Sequence, residues 1–149
     1  MIPNLFYKGP LPKSIPKDMQ KVINELKKSK NQMDCLKKAY KIVESKYNKT
    51  RFLVYILFWR AFWTDMDKIW NHKGYVQCNI ASYLLRTLLV KSGWFKDDDI
   101  EIKHTLVWYI SFHQYFKIKV GKEIINVDVH AAPFGVKLGE YAHGFKGYV

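Results

Sequence analysis

The spacing of apolar residues changes at Ser92-Gly93 from the period of a helix to that of a strand. Before this point, CNIASYLLRTLLVK places most of its apolar residues on one helical face. After it, DDDIEIKHTLVWYISFHQYFKIKV alternates apolar and polar residues, which is typical of a half-buried strand. Gly121-Lys122 then predicts a two-residue hairpin turn, and EIINVDVHA a returning strand. Helices followed by antiparallel strands predict an α+β fold, in which the helix beginning at Cys78 packs on the sheet.

The first half of the chain is predicted to be helical. Residues 1–17 hold four of the five prolines and should form an extended arm on the domain. One helix is expected after Pro16 and a second at residues 33–47. The most apolar run, FLVYILFWRAFW at residues 52–63, predicts a buried core helix, with an interfacial segment as the alternative. Its continuation, TDMDKIWNHKG, ends at Gly74.

Charge and cysteine content limit the class of protein. A formal net charge of +12 favours nucleic acid, an anionic membrane or an acidic protein as partner, although a merely solvated lysine surface is the alternative. Two cysteines cannot build a disulfide scaffold, and both are expected to be reduced, as in a cytoplasmic protein. Cys35 is expected to be a packing residue. Neither a signal peptide nor a membrane span is predicted, since residues 52–63 fall short of the ~20 that a span needs.

The predicted hairpin brings four polar side chains onto one face. If Gly121-Lys122 is the turn, Val120 pairs with Glu123, and paired residues project from the same side of the ribbon. Counting back from this pair, the side chains that share one face are those of His113, Tyr115, Asp128 and His130. His113 and Asp128 become diagonal neighbours, close enough for a carboxylate to hold an imidazole. A three-residue loop would instead send them to opposite faces.

Cys78 lies where the central helix is predicted to begin. A cysteine in the first turn feels the positive end of the helix dipole, which favours the thiolate. His113 across from it is placed to take the thiol proton, and Asp128 to orient that histidine. This is the arrangement of thiol acyl-transfer chemistry. The first N–H groups of the helix, that of Cys78 foremost, are placed to stabilise an oxyanion.

Each of these three residues also has a purely structural interpretation. Cys78 lies on the apolar stripe with Ala81 and Leu85, and buried unreactive cysteines are common. His113 alone is a strand histidine, and Asp128 alone is a turn or edge carboxylate. Their joint arrangement, with a cysteine at a helix start and a histidine and an aspartate on one hairpin face, favours the catalytic interpretation.

The same residues resemble the transglutaminase-like superfamily, whose core is that of the papain-like cysteine proteases. The first half of the resemblance rests on Gly74, Cys78, Ala81, LLRTLL and Ser92-Gly93. The second half rests on HQYFKIKVGKEIINVDVHA, which holds the histidine, a glycine and the aspartate in the family's order. The resemblance covers residues 74–132. This chain has Tyr115 where many members have tryptophan, and Val129 where many have proline.

The resemblance implies a thiol enzyme. Cys78 would be the nucleophile, His113 the general base and Asp128 the orienting acid, acting through a thioester or equivalent acyl-enzyme. Members catalyse amide cross-linking, peptide hydrolysis or deglycosylation, and some are inactive, so a protein or peptide amide is the expected substrate. Neither a cofactor nor a metal is expected. One domain of 149 residues would comprise an arm (1–17), a helical part (18–73), the Cys-His-Asp core (74–132) and an irregular C-terminal segment (133–149).

Four further residues are candidates to line a substrate pocket or to donate to an oxyanion: Trp70, Tyr75, Gln77 and Tyr115. Ordinary packing or loop surface is the alternative for each of them.

Three other kinds of function are also open. The ligands available for a metal site are His104, His113, His130, His143 and Cys78. They lack the pair spacing of a zinc site, and His104 falls on the opposite strand face from His113. A basic, non-enzymatic module would bind nucleic acid or an acidic protein, with only the charge in its favour. A degenerate relative would keep the fold and bind a partner without chemistry.

Overall fold

The computed structural model describes residues 6–47 and 56–147. Four α-helices lie wholly within these residues: α1 (Lys17–Lys27), α2 (Gln32–Lys46), α3 (Met66–Asn71) and α4 (Cys78–Lys91). Three strands form one antiparallel sheet in the order β1-β2-β3: β1 (Ile100–Val107), β2 (Ser111–Val120) and β3 (Glu123–Val127). Short 3-10 helices occupy Phe58–Phe62, Asp97–Asp99 and Ala132–Phe134. The predicted α+β architecture is therefore confirmed.

Helix α4 is the centre of the fold, because it contacts the other three α-helices, the 3-10 helix Phe58–Phe62 and β2. Its residues 79–89 are all buried, including Arg86. The Arg86 guanidinium is compensated by the Asp97 carboxylate, which lies 2.7 Å from Nε, and it also donates to the Gly9 carbonyl at 2.8 Å. A buried charge thus ties the N-terminal arm to the central helix.

The helical spacing of the first two helices predicts one apolar face on each, and these faces are buried except at Val22, which is only partly buried. The buried positions are Met19, Ile23 and Leu26 in α1, and Leu36, Ala39, Tyr40 and Val43 in α2. Helix α2 is capped by Asn31, whose side chain accepts a hydrogen bond from the Asp34 N–H at 2.8 Å. Cys35 is fully buried, with Sγ 3.4 Å from the Ser92 hydroxyl, which agrees with a packing role.

The predicted buried core helix at residues 52–63 is wrong from residue 57 onwards, and Ile56 is helical but exposed; residues 52–55 lie outside the described residues. Phe58–Phe62 is a 3-10 helix with no buried side chain. A 3-10 helix points successive residues in three directions, so a run that is apolar all round cannot bury all of them. Here Arg60 turns inward to the Tyr75 carbonyl (2.8 Å), while Phe58 and Trp59 point to solvent. No helix among the described residues is long and apolar enough to cross a membrane.

The alternating stretch after residue 99 is two strands rather than one. β1 and β2 pair with each other, Leu106 facing Phe112, and residues 108–110 form the turn between them. The alternation puts Leu106 and Phe112 on the apolar side of a half-buried strand, yet both are exposed. Helix α4 begins at Cys78, opposite Gln114, so the hairpin continues past the helix and its end is left uncovered.

The register of the second hairpin is the predicted one. Val120 pairs with Glu123, and the ladder continues to Phe116 paired with Val127. Gly121 opens the two-residue turn with φ of 60°, a left-handed conformation that glycine adopts without strain. The parity on which the candidate site depends is therefore confirmed.

Candidate active site

Cys78 is the first residue of α4. The Gln77 carbonyl before it accepts hydrogen bonds from the Ile80 and Ala81 N–H groups, which starts the helix immediately at the thiol. Cys78 is a free cysteine and only partly buried. Its Sγ accepts a hydrogen bond from the Gln114 N–H of β2 at 3.4 Å. The thiol thus lies between the positive end of a helix and a strand amide, a setting that suits a thiolate.

Asp128 holds the His113 imidazole. The two are joined by a hydrogen bond of 2.8 Å between His113 Nε2 and Asp128 Oδ2. The carboxylate is 1% exposed and accepts two further bonds, from the Ala142 N–H (2.8 Å) and the Ala131 N–H (3.1 Å). Since three donors fix both of its oxygens, Asp128 can orient the imidazole.

The thiol lies beside the imidazole. Cys78 and His113 line the same cavity, and the Cys78 side chain is one of the groups that raise the pKa of the His113 imidazole. Because Nε2 is bound to Asp128, Nδ1 is the ring nitrogen available to the thiol. The structure therefore brings Cys78, His113 and Asp128 together, with Asp128 holding the imidazole in the cavity of the thiol.

The charges of His113 and Asp128 stabilise each other. Burial lowers the pKa of the His113 imidazole, but the Asp128 carboxylate and the Cys78 side chain outweigh it and raise that pKa to about 10. Burial likewise raises the pKa of the Asp128 carboxyl, but the His113 charge and hydrogen bond and the Ala142 N–H bring it below its ordinary value. At neutral pH the pair is an imidazolium held by a carboxylate.

The free energy of unfolding is expected to fall as the pH rises from 6.5 towards 10. Over this range the folded protein keeps a proton on His113, whereas an unfolded histidine, with a pKa near 6.5, loses it. The folded state binds more protons, so stability decreases with pH by up to about 1.4 kcal/mol per unit, and the contribution is complete below pH 6.5. Urea denaturation across this range should give a flatter profile for His113→Gln; identical profiles would mean a neutral imidazole in the folded protein.

A small cavity of about 60 Å³ opens onto the thiol. Its walls include Tyr75 and Gln77 on the side of α4 and Ser111 and Phe112 on the side of β2. The lining is mostly apolar, and it admits a few heavy atoms next to Sγ. A short reactive group, such as an amide, can therefore reach the thiol, whereas the rest of a large substrate must remain outside.

The four additional candidates separate into two pairs. Tyr75 and Gln77 line the cavity, with the Gln77 amide donating to the Leu57 carbonyl at 3.3 Å. Trp70 and Tyr115 do not line it. Trp70 packs into the core with Lys46 Nζ 4.0 Å above its ring, and Tyr115 stacks on Tyr141 at 4.4 Å.

The cavity wall also contains a histidine, His130, that was not among the predicted catalytic or substrate-binding residues. His130 lies with its ring centre 5.7 Å from that of His113, and its Nε2 is 3.1 Å from the Val76 carbonyl. A carbonyl only accepts, so Nε2 carries the proton and ties β3's end to the residues before Cys78. The hairpin register had already put His130 on the face of His113, and this signal could have identified it.

The metal alternative finds no support in the described part of the chain, where no group of three or more histidine, cysteine or acidic side chains is arranged to hold an ion. His104 pairs with Gln114 rather than His113, and its ring stacks on Phe112 at 4.8 Å. The sequence matches no family model, and neither the curated proteins nor the solved structures contain a significant match.

Proposed function

We propose that this protein catalyses thiol-dependent acyl transfer or amide hydrolysis on a protein or peptide, with Cys78, His113 and Asp128 as its triad. The observation that carries the proposal is the hydrogen bond of 2.8 Å between His113 and Asp128, which holds the imidazole in the same cavity as Cys78 at a helix start. The three groups are a nucleophile, its proton partner and an orienting acid. The order of these residues on a helix and two antiparallel strands supports a papain-like core of the transglutaminase type.

The first half of the reaction forms an acyl-enzyme. Cys78 Sγ attacks the carbonyl carbon of the substrate amide, a C–S bond forms, and the electron pair of the carbonyl moves to its oxygen. The Cys78 N–H, which has no acceptor within the helix at this first position, is placed to stabilise that oxyanion. The C–N bond then breaks, and the amine leaves with the proton that His113 carries.

The second half returns the enzyme to its starting state. Water or a second amine attacks the thioester carbonyl while neutral His113 takes a proton from it. The C–S bond breaks, the thiolate is released, and the imidazolium is restored beside Asp128. Hydrolysis and amine transfer share every residue of this scheme and differ only in the acceptor.

A reducing compartment suits this chemistry. Both cysteines are free, and Cys78 must remain a thiol to react. We therefore propose a cytoplasmic location, in which Cys78 needs no protection from disulfide formation.

Iodoacetamide is expected to modify Cys78 at least about 100-fold faster than Cys35 near neutral pH. Cys35 is fully buried, and burial raises the pKa of its thiol, so it is a matched internal control in the same chain. Cys78 opens onto the cavity and faces an imidazolium. Peptide mass spectrometry after timed exposure measures both rates. If Cys78 were inert until the protein unfolds, the enzymatic proposal would fail, and a non-enzymatic binding role would be the better explanation of the fold.

A further inference from the structure

Two exposed apolar clusters are joined to residues next to the thiol or in the wall of its cavity. The first, here called the aromatic 3-10 helix, is Phe58–Phe62, which exposes Phe58, Trp59 and Phe62. The second, called the hairpin tip, is the turn of residues 108–110 between β1 and β2. Both β1 and β2 reach the cavity wall next to this tip, through Val107 and Ser111.

The aromatic 3-10 helix is attached to the residues on either side of the nucleophile. The Gln77 amide donates to the Leu57 carbonyl at 3.3 Å, and the Asn79 amide donates to the Ala61 carbonyl at 2.8 Å. Both amide side chains are buried, so they are committed to this contact rather than to solvent. The position of the exposed aromatic side chains is therefore fixed relative to Cys78.

The hairpin tip is strained. Trp108 and Tyr109 have φ of 57° and 59°, the left-handed conformation that bulky residues rarely adopt. Such a conformation is energetically unfavourable for a bulky residue, and a hairpin that only had to turn would place Asn-Gly there. Burial does not offset the cost, because Trp108, Tyr109 and Ile110 are 46%, 68% and 79% exposed.

The strained turn is nevertheless held in place. The Trp108 N–H donates to the Gly144 carbonyl, and the Gly144 N–H donates to the Leu106 carbonyl at 2.9 Å. The Tyr109 ring packs edge-on against Phe145, with ring centres 5.6 Å apart. Strain that the surroundings maintain beside a reactive site indicates a function for the side chains that it displays.

We propose that the aromatic 3-10 helix and the hairpin tip bind the substrate on the two sides of its reacting amide. The substrate class is then an extended polypeptide with bulky apolar side chains next to that amide. This inference rests on the proposed function, and it follows from the size of the cavity. About 60 Å³ holds little more than the reacting group, so most of the binding energy must come from the surfaces at its mouth.

A polypeptide fits this surface better than an anionic membrane does. Membrane binding of this kind combines exposed aromatic residues with neighbouring cations that meet lipid head groups. Here Arg60, within the first cluster, turns inward to the Tyr75 carbonyl, and Lys146, beside the second, pairs with Glu140 at 3.0 Å. Among the described residues, these two cations beside the aromatic side chains are thus engaged within the protein.

The test is equilibrium binding to the full chain carrying Cys78→Ala, which removes the thiol chemistry. Two fluorescein-labelled peptides of equal length and charge serve as probes, one with a central glutamine flanked by phenylalanines and one with it flanked by alanines. Fluorescence anisotropy should show that the phenylalanine peptide binds at least about tenfold more tightly, the gain expected from partial burial of its rings.

Two double variants and a control test which part of the surface causes the preference for the phenylalanine peptide. Trp108→Gly/Tyr109→Gly removes the rings and relieves the left-handed strain, so the protein should fold at least as well and lose most of the tenfold preference. Phe58→Ala/Trp59→Ala, in the aromatic 3-10 helix, should also weaken the preference for the phenylalanine peptide. Ile124→Ala, at an exposed apolar residue of β3 near the opposite end of the sheet, should leave it unchanged.

The inference is overturned if the two peptides bind equally, or if the preference survives both double variants. It is also overturned if there is no peptide preference and the protein sediments with phosphatidylserine vesicles in a way that Trp108→Gly/Tyr109→Gly abolishes, which would assign the surface to a membrane. These outcomes do not depend on the reactivity of Cys78, so they are separate from those of the alkylation experiment.

Discussion

Asp128→Ala is expected to lower the free energy of unfolding by about 3–5 kcal/mol at neutral pH. The substitution leaves the His113 imidazolium buried without its counter-ion, and it removes the acceptor of the Ala131 and Ala142 N–H groups. Removing one partner of a buried pair is costly because the other charge stays out of water. The loss should include the C-terminal segment, since Ala142 is tied to the hairpin through this carboxylate.

Urea denaturation followed by circular dichroism measures this effect, with the change read from the midpoint and slope. Asp98→Ala is the matched control, because Asp98 is an exposed acidic residue and its removal should change stability by no more than about 0.5 kcal/mol. If Asp128→Ala cannot be purified folded, Asp128→Asn keeps the volume and one acceptor and should show a smaller loss in the same direction. A loss below about 1 kcal/mol for Asp128→Ala would contradict the buried ion pair.

Local patterns account for the parts of the site that could be predicted. The helical spacing that begins at Cys78 set the start of α4, and the two-residue turn at Gly121-Lys122 set the parity of β2 and β3. A turn of known length determines which side chains share a face, so His113 and Asp128 could be paired from sequence alone. The hydrogen bond of 2.8 Å between them agrees with the proximity that the register predicts.

The parts that were missed lack a local signal. The alternation of apolar and polar residues runs through Trp108 and Tyr109 without a break, so the pattern gives no sign that the strand ends there. The left-handed turn is made by these two aromatic residues instead of glycine or asparagine. Phe58–Phe62 has no buried side chain, although its apolar composition predicts burial. The Ala142 N–H that fixes Asp128 comes from an irregular segment with no periodicity, so nothing in the sequence could place it there.

These misses share a location. The exposed 3-10 helix follows Leu57, whose carbonyl is bound by Gln77 of the cavity wall, and the strained turn joins Val107 to Ser111 of the same wall. Local propensity and hydrophobic pattern fail most often where a chain departs from the best-folding choice for the sake of a function. The failures themselves therefore point to the same surface that the strain and the cavity indicate.

His113→Gln is expected to lower the rate constant for alkylation of Cys78 near neutral pH by about 100-fold or more. In the proposed mechanism the imidazolium takes part through its charge and its proton, whereas glutamine can keep a hydrogen bond to Asp128 but carries neither the charge nor a titratable proton. His143→Gln is the control, because His143 is exposed and should leave the rate unchanged. Raising the pH should restore most of the rate in His113→Gln, since hydroxide can then remove the proton that the imidazole no longer takes. If the two variants react alike, or if the deficit persists at high pH in a folded protein, the thiol does not depend on His113, and the triad is wrong.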